Sequence, residues 1–386
     1  MATTLVSGVQ YSGIWTMPQV NAAVSAGTWP YPPAPALYAW GANNLGQLGL
    51  GNTTYYSSPK QVGSLKNWAL FSGILASLAI KTDGTIWSWG YNAQGQLGNG
   101  TSTSTSSPVQ IGALSNWQTV TGGTAHTVAI KTDGTLWAWG QGLYGQLGLN
   151  NTTSYSSPKQ IGALTAWLNI AGGEYHTLAT KTDGTLWAWG GNNFGQLGLG
   201  NTTYYSSPKQ VGSLTAWSQV KTGSYYSIAT KTDGTLWAWG QNNNGQLGQG
   251  NITNFSSPIQ IGALTNWSII SAGSGGSNFV GAVKTDGTLW MWGVNTYGQL
   301  GQGNTTSRSS PVQVGALTTW ATPATGAYQM FAIKSDGTLW AWGIGQDGVL
   351  GLGNTTNYSS PKQVGALTNW TKVSSGGTVC RAIATT

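Results

Sequence analysis

Acidic residues are nearly absent: eight Asp and Glu stand against fifteen Lys and Arg in 386 residues, and charged residues make up only 6% of the chain. Six of the eight acids are Asp83, Asp133, Asp183, Asp233, Asp286 and Asp336, each two residues after a lysine, so only Glu174 and Asp347 are free-standing carboxylates. A single cysteine, Cys380, excludes an intramolecular disulfide framework. No stretch approaches the ~20 apolar residues of a membrane span, so no membrane insertion is expected. The start Met1-Ala2-Thr3-Thr4 has no basic n-region and no secretory signal is evident. The formal charge of +7 comes mostly from lysines placed once per repeat, such as Lys60, Lys159, Lys209 and Lys362. A nucleic-acid partner would call for a clustered patch, and this spread argues against one.

What the chain does have is repetition. Lys131-Thr132-Asp133-Gly134-Thr135-Leu136-Trp137-Ala138-Trp139-Gly140 returns almost letter for letter at Lys181, Lys231, Lys284 and Lys334, and with Ile86 and Ser88 changed at Lys81; a headless copy is Leu37–Gly41. The spacing is 50 residues, with one interval of 49 and one of 53. Such self-similarity marks one supersecondary unit copied seven times. The last copy stops before its Trp strand, and the first begins with that strand. Two half-units gain nothing in an open array but complete one blade of a ring. The reading is an all-β, seven-bladed β-propeller of four-stranded blades over 37–386, closed by a composite blade.

Each unit reads as four strands, exemplified by Trp117–Thr121, His126–Lys131, Thr135–Gly140 and Lys159–Gly162, with Asp133-Gly134 as the hairpin between the second and third. Alternation puts Trp137 and Trp139 on one face and Leu136 and Ala138 on the other, so the indoles of one sheet should press on the aliphatic face of the next. Of 22 tryptophans, 13 fall in third strands and seven begin first strands, which leaves only Trp15 and Trp29 outside the pattern.

The order Gly-x-x-His-Thr-x-Ala-Ile-Lys-x-Asp-Gly-x-Leu-Trp-x-Trp-Gly at Gly123–Gly140, followed by Gly-Gln-Leu-Gly at Gly145–Gly148, resembles the regulator of chromosome condensation repeat. Gly-Gln-Leu-Gly recurs at Gly46, Gly95, Gly195, Gly245 and Gly298, and as Gly-Val-Leu-Gly at Gly348. The resemblance implies a seven-bladed propeller with a composite closing blade. Nucleotide-exchange members of that family work through loop acids, which this chain lacks. Plant photoreceptor members carry a Trp-Arg-His-Thr run, where this chain has Thr124-Ala125-His126 and Glu174-Tyr175-His176. Bacterial members that inhibit β-lactamases bind with aromatic-rich loops, a style that suits this composition.

Catalysis has little material. His126 and His176 occupy one repeat position, assigned elsewhere to Tyr226, Gln329 and Cys380, and are expected to be structural; with Glu174 they form no ligand motif. No enzyme activity, cofactor or metal is expected.

Comparison between blades shows which face is specialised. The Asp-Gly hairpins and the Gly-Ala-Leu-Thr-x-Trp connections are monotonous. On the opposite face the residue before Gly-Gln-Leu-Gly runs Leu45, Gln94, Tyr144, Phe194, Asn244, Tyr297 and Asp347. The same side is expected to carry Tyr175, Tyr225, Tyr328, the Ser274-Gly275-Gly276 insertion, and the loop residues Tyr55, Tyr155, Tyr204, Phe255, Arg308 and Tyr358. Tyrosine, asparagine, serine and glycine make an adaptable recognition surface, although long loops also drift.

Residues 1–36 read as a strap or docking segment, with a short helix over Thr16–Gly27. Val9–Trp15 and Ala26–Pro30 resemble segments of structural and tail-fibre proteins of tailed bacteriophages and marine viruses. That resemblance implies a virion component, in tail or capsid, docked to other virion proteins through Tyr11, Trp15 and Trp29 and binding a host-surface protein or glycan with its variable face. The alternatives are a cellular protein-binding or inhibitory propeller, cytoplasmic or secreted by a route not visible in the sequence, and a glycan-binding lectin.

Overall fold

The computed structural model describes residues 35–385 except 274 and 277; the expected helix over 16–27 and the docking residues Tyr11, Trp15 and Trp29 lie outside the described residues. Seven antiparallel four-stranded sheets are arranged as blades. Six are continuous in sequence and are numbered 1 to 6 from Trp68. Blade 7 is composite, ordered Tyr56–Gln61, Pro35–Gly41, Val379–Thr385 and Trp370–Gly376. Its seam is an unbroken antiparallel ladder from Pro35↔Thr385 to Gly41↔Val379, so the two ends of the ring are joined by main-chain hydrogen bonds.

In blade 2 the strands are Trp117–Gly122, His126–Lys131, Leu136–Gly140 and Tyr155–Gln160. The outer strand begins four residues before the expected Lys159–Gly162. The strand runs through Ser156-Ser157-Pro158 because an edge strand has a free side where the missing proline N–H costs nothing. The ladder accordingly joins Tyr155 to Gly140 and then slips before Lys159.

Packing between blades follows the alternation. Leu78, Ile80 and Ile86 of blade 1 pack on Trp117, Val120 and Trp139 of blade 2, and the pattern repeats around the ring. Within blade 2, Trp117 meets Trp137 and Trp139 edge-on at 6.0 Å, a geometry worth ~1 kcal/mol per pair beyond burial.

Gly-Gln-Leu-Gly is the hinge pin of each seam. In Gly145–Gly148, Leu147 is fully buried, and a Cβ on Gly148, which has φ +70°, would lie 2.8 Å from the Trp189 Nε1 of the next blade. The Gln146 carbonyl accepts the Trp189 Nε1–H at 2.9 Å and the Thr177 hydroxyl at 2.9 Å, both from blade 3. The Gln146 side chain turns back and accepts the Tyr144 N–H at 2.8 Å.

Candidate functional site: the variable face

That last hydrogen bond explains how a variable loop stays ordered. The N–H of Leu45, Gln94, Phe194, Asn244 and Tyr297 is held in the same way by Gln47, Gln96, Gln196, Gln246 and Gln299 at 2.8–3.0 Å. The backbone is pinned to a buried glutamine while the side chain points away from the pin, so side-chain identity is free to change. In blade 6, where Val349 replaces glutamine, the loop instead makes a short 3-10 turn with Asp347 at φ 59°.

The loop before the second strand brings a second aromatic up to the first. Tyr144 and Tyr175 lie 4.6 Å apart between ring centres, Tyr175 and Tyr225 6.1 Å, Phe194 and Tyr225 5.3 Å, and Tyr144 and Tyr204 5.9 Å. Tyr204 also donates its hydroxyl to Asn193. These five rings form one aromatic surface over blades 2 to 4. Across the ring axis, Tyr297 and Tyr328 form a separate edge-on pair at 5.3 Å.

Other expected residues are placed differently. Leu45 is half-buried in its loop and Tyr55 is exposed just before the outer strand of blade 7. Tyr155, Phe255, Arg308 and Tyr358 are the first residues of outer strands, each opposite the glycine that closes the third strand. All four are half-buried, and Tyr155, Phe255 and Tyr358 pack against interblade cores. They belong to outer strands because those strands start earlier than expected.

Between the two aromatic groups lies the mouth of the central channel. A cavity of about 530 Å³ is lined by Glu174, Tyr297, Tyr328, Ile74, Ile344 and Gln346 among others. The blade 5 insertion crosses this mouth: the Gly276 N–H donates to Ser224 Oγ of blade 4 at 2.8 Å, and Gly275 lies against Gly377 of blade 7 and Ile74 of blade 1. Glu174 is anchored by its own N–H on the Ser224 carbonyl at 3.2 Å. Burial and then the Glu174 charge push the Tyr175 hydroxyl up, and Tyr225 is raised by the same causes. Both therefore remain protonated donors. The sequence named Glu174 as a free-standing acid and found no ligand motif around it; the other residues of the cavity come from blades 1, 2, 5, 6 and 7 and left no local signal.

Beneath the mouth, the inner strands line the channel, with Ser72, Thr121, Ala171, Lys221, Ser271, Ala324 and Ser374 in equivalent places. Lys221 is solvent-accessible, yet the encircling walls remove part of its hydration and lower its pKa.

His126 and His176 are not at the surface. Each ring reaches to the next blade, His126 Nε2 to Thr177 Oγ1 and His176 Nε2 to Ser227 Oγ, both at 3.1 Å. Burial lowers their pKa to about 4 and about 3, and neither Nδ1 has a hydrogen-bond partner, so both are neutral. The same latch is made by the Tyr226 hydroxyl to the Phe279 carbonyl at 2.7 Å and by Gln329 Nε2 to Ser375 Oγ at 3.1 Å. In blade 7 the position belongs to Val379, opposite Gly41, and not to Cys380; Val379 follows Trp370 by nine residues, as His126 follows Trp117. There the fully buried Arg381 makes the latch instead, with Nε on Ser77 Oγ at 2.9 Å and Nη1 on the Gly73 carbonyl at 3.2 Å. Among the described residues no three His, Cys, Asp or Glu side chains come together as a metal site, and no helix is long and apolar enough to cross a membrane.

The family model for the RCC1-like domain matches residues 36–382. The chain belongs to that family. Among solved structures, Prp20p from Saccharomyces cerevisiae is 20% identical with a TM-score of 0.80, covering 91% of each chain. Human WBSCR16 is 19% identical with a TM-score of 0.81, covering 92% of this chain and 99% of its own. At these identities the likeness establishes the RCC1-like fold alone. No curated protein matches the chain in sequence.

Proposed function

We propose that this RCC1-like propeller is a non-enzymatic protein-binding platform that engages its partner through the variable face. The observation that carries this reading is the contiguous surface of Tyr144, Tyr175, Phe194, Tyr204 and Tyr225 on loops whose backbones are pinned from beneath. Rigid aromatic anchors give large contact area at low entropy cost. The fold relative Prp20p is described with binding to Gsp1p and histones, which supports protein binding as a use of this fold and says nothing of this chain's partner. The test compares proteins cross-linked to the wild-type chain, to a Tyr144→Ala, Phe194→Ala, Tyr297→Ala variant, and to one with Lys60, Lys159 and Lys209 changed to alanine. Partners lost only by the aromatic variant support the face; partners lost only by the lysine variant sink it.

A second reading, a virion appendage that binds a host protein or glycan, rests on the likeness of Val9–Trp15 and Ala26–Pro30 to viral structural segments. Baseplate or capsid genes beside the coding sequence would favour it, and a cellular operon would remove it.

A further inference from the structure

We infer that the cavity at the mouth of the channel is a receptor for a basic side chain, lysine or arginine, presented by the protein partner, with Glu174 as its counter-charge and Tyr297 and Tyr328 as its opposite wall. This rests on the variable face being the protein-binding face and specifies what that face selects.

Three observations converge. The first is shape: the 530 Å³ cavity has a carboxylate on one side, an edge-on tyrosine pair on the other, and an apolar stretch including Ile74, Ala327 and Ile344 between them. A lysine or arginine needs that combination, because its aliphatic stem seeks apolar surface while its head seeks a carboxylate or the negative face of an aromatic ring.

The second is charge. The chain carries +7, yet its cations are directed elsewhere. The hairpin lysines are stacked on tryptophans, as Lys131 is on Trp137 at 3.8 Å, and Lys60, Lys159, Lys209 and Lys362 lie on outer strands. Arg381 is buried on Ser77. Lys221 lines the channel below and is not among the residues lining the mouth. The lining of the mouth cavity contains one carboxylate, Glu174, and no lysine or arginine.

The third is that Glu174, although the Tyr175 and Tyr225 hydroxyls hydrogen-bond to its side chain, has no charge partner among the described residues. Every hairpin aspartate is occupied by its threonine, as Asp133 is by Thr135 at 2.6 Å and 2.9 Å. Among the described residues Glu174 has no cation partner; its nearby groups are the Tyr175 and Tyr225 hydroxyls.

The experiment selects a random heptapeptide library on the immobilised full-length chain and titrates recovered peptides in solution. Recovered peptides are expected to be enriched in Lys or Arg. Replacing that residue by norleucine or citrulline should weaken binding at least tenfold, as should Glu174→Gln, with an unchanged melting midpoint, and added salt should weaken the wild type more than the variant. No enrichment of basic residues, or neutral analogues that bind as well as the parents, overturns the inference. If peptides bind independently of Glu174 but are lost from the Tyr144→Ala, Phe194→Ala, Tyr297→Ala variant, the charge selection fails while the face stands. If they survive that variant too, the face itself is misassigned.

Discussion

The two ends of the ring use the same kinds of residue for opposite purposes. At the hairpin end, one circuit is copied six times: Asp133 accepts from the Thr135 N–H and hydroxyl, the Thr135 oxygen accepts the Trp137 Nε1–H at 2.9 Å, and Lys131 covers the indole. The Asp133, Thr135 and Trp137 polar groups all have local partners, whereas the neighbouring Asn116 Oδ1 and Trp117 Nε1 are buried without one, and Lys131 is buried rather than a free rim charge. At the other end the pinned loop repeats while the side chain it displays does not, and aromatic rings are left facing solvent or one another. Uniformity marks the end that holds the blade together, and variation over a fixed backbone marks the end free to recognise something.

The strongest test asks whether either end survives without the seam. Deletion of Leu37–Gly41 removes the strand that pairs with Val379–Thr385 and leaves strand edges exposed in blade 7. Cooperative melting of the whole ring should disappear. A truncated chain with the parent's midpoint and monomeric mass would break the comparison, since the ends would then not depend on closure.

Next in size is acid. Both buried histidines have pKa values below the unfolded value of about 6.5, so the unfolded chain binds more protons as pH falls. Stability is complete above about pH 6.5 and should be lost progressively towards pH 4 and 3, on the order of 3 kcal/mol per histidine. The hairpin aspartates, held low by their threonine hydrogen bonds, contribute losses only below about pH 4. Urea titrations should therefore show a slope between pH 6.5 and 4 that the His126→Gln, His176→Gln variant flattens; glutamine already makes this latch at Gln329. An unchanged slope would mean the latches do not titrate.

Smaller effects sharpen the division of labour. Lys131→Ala, Lys181→Ala and Lys231→Ala together should lower the melting midpoint by several degrees, at ~1 kcal/mol for each cation–π stack lost, without altering partner binding. Smallest in stability is Tyr144→Ala with Phe194→Ala: these half-buried rings sit above the pinned backbone, so the midpoint should move by a degree or two while binding falls at least tenfold. If calorimetry showed the reverse ranking, the roles of the two ends would be exchanged.

Much of this was readable in the chain because a repeat reports on itself. The Lys-x-Asp-Gly-Thr-Leu-Trp-x-Trp-Gly copies, their spacing and the half-units at each end carry the hairpins, the interblade indoles and the composite blade, since alternation and turn chemistry are local. The outer strand of blade 2 was placed four residues late, since its start is set by pairing opposite Gly140, which only the assembled sheet reveals. Cys380 was put at the histidine position one residue too late: Val379 follows Trp370 at the same nine-residue spacing as His126 follows Trp117, and the ladder opposite Gly41 places it there. Of the candidate face, the sequence supplied Tyr144, Phe194 and Tyr297 by comparison between copies. It could not show that Tyr155, Phe255, Arg308 and Tyr358 turn into the rim. The cavity at the channel mouth was decided by tertiary structure alone: Glu174, Tyr297, Ile74 and Tyr328 come from four blades far apart in sequence, and they meet only because closing the ring brings every inner loop to a common axis.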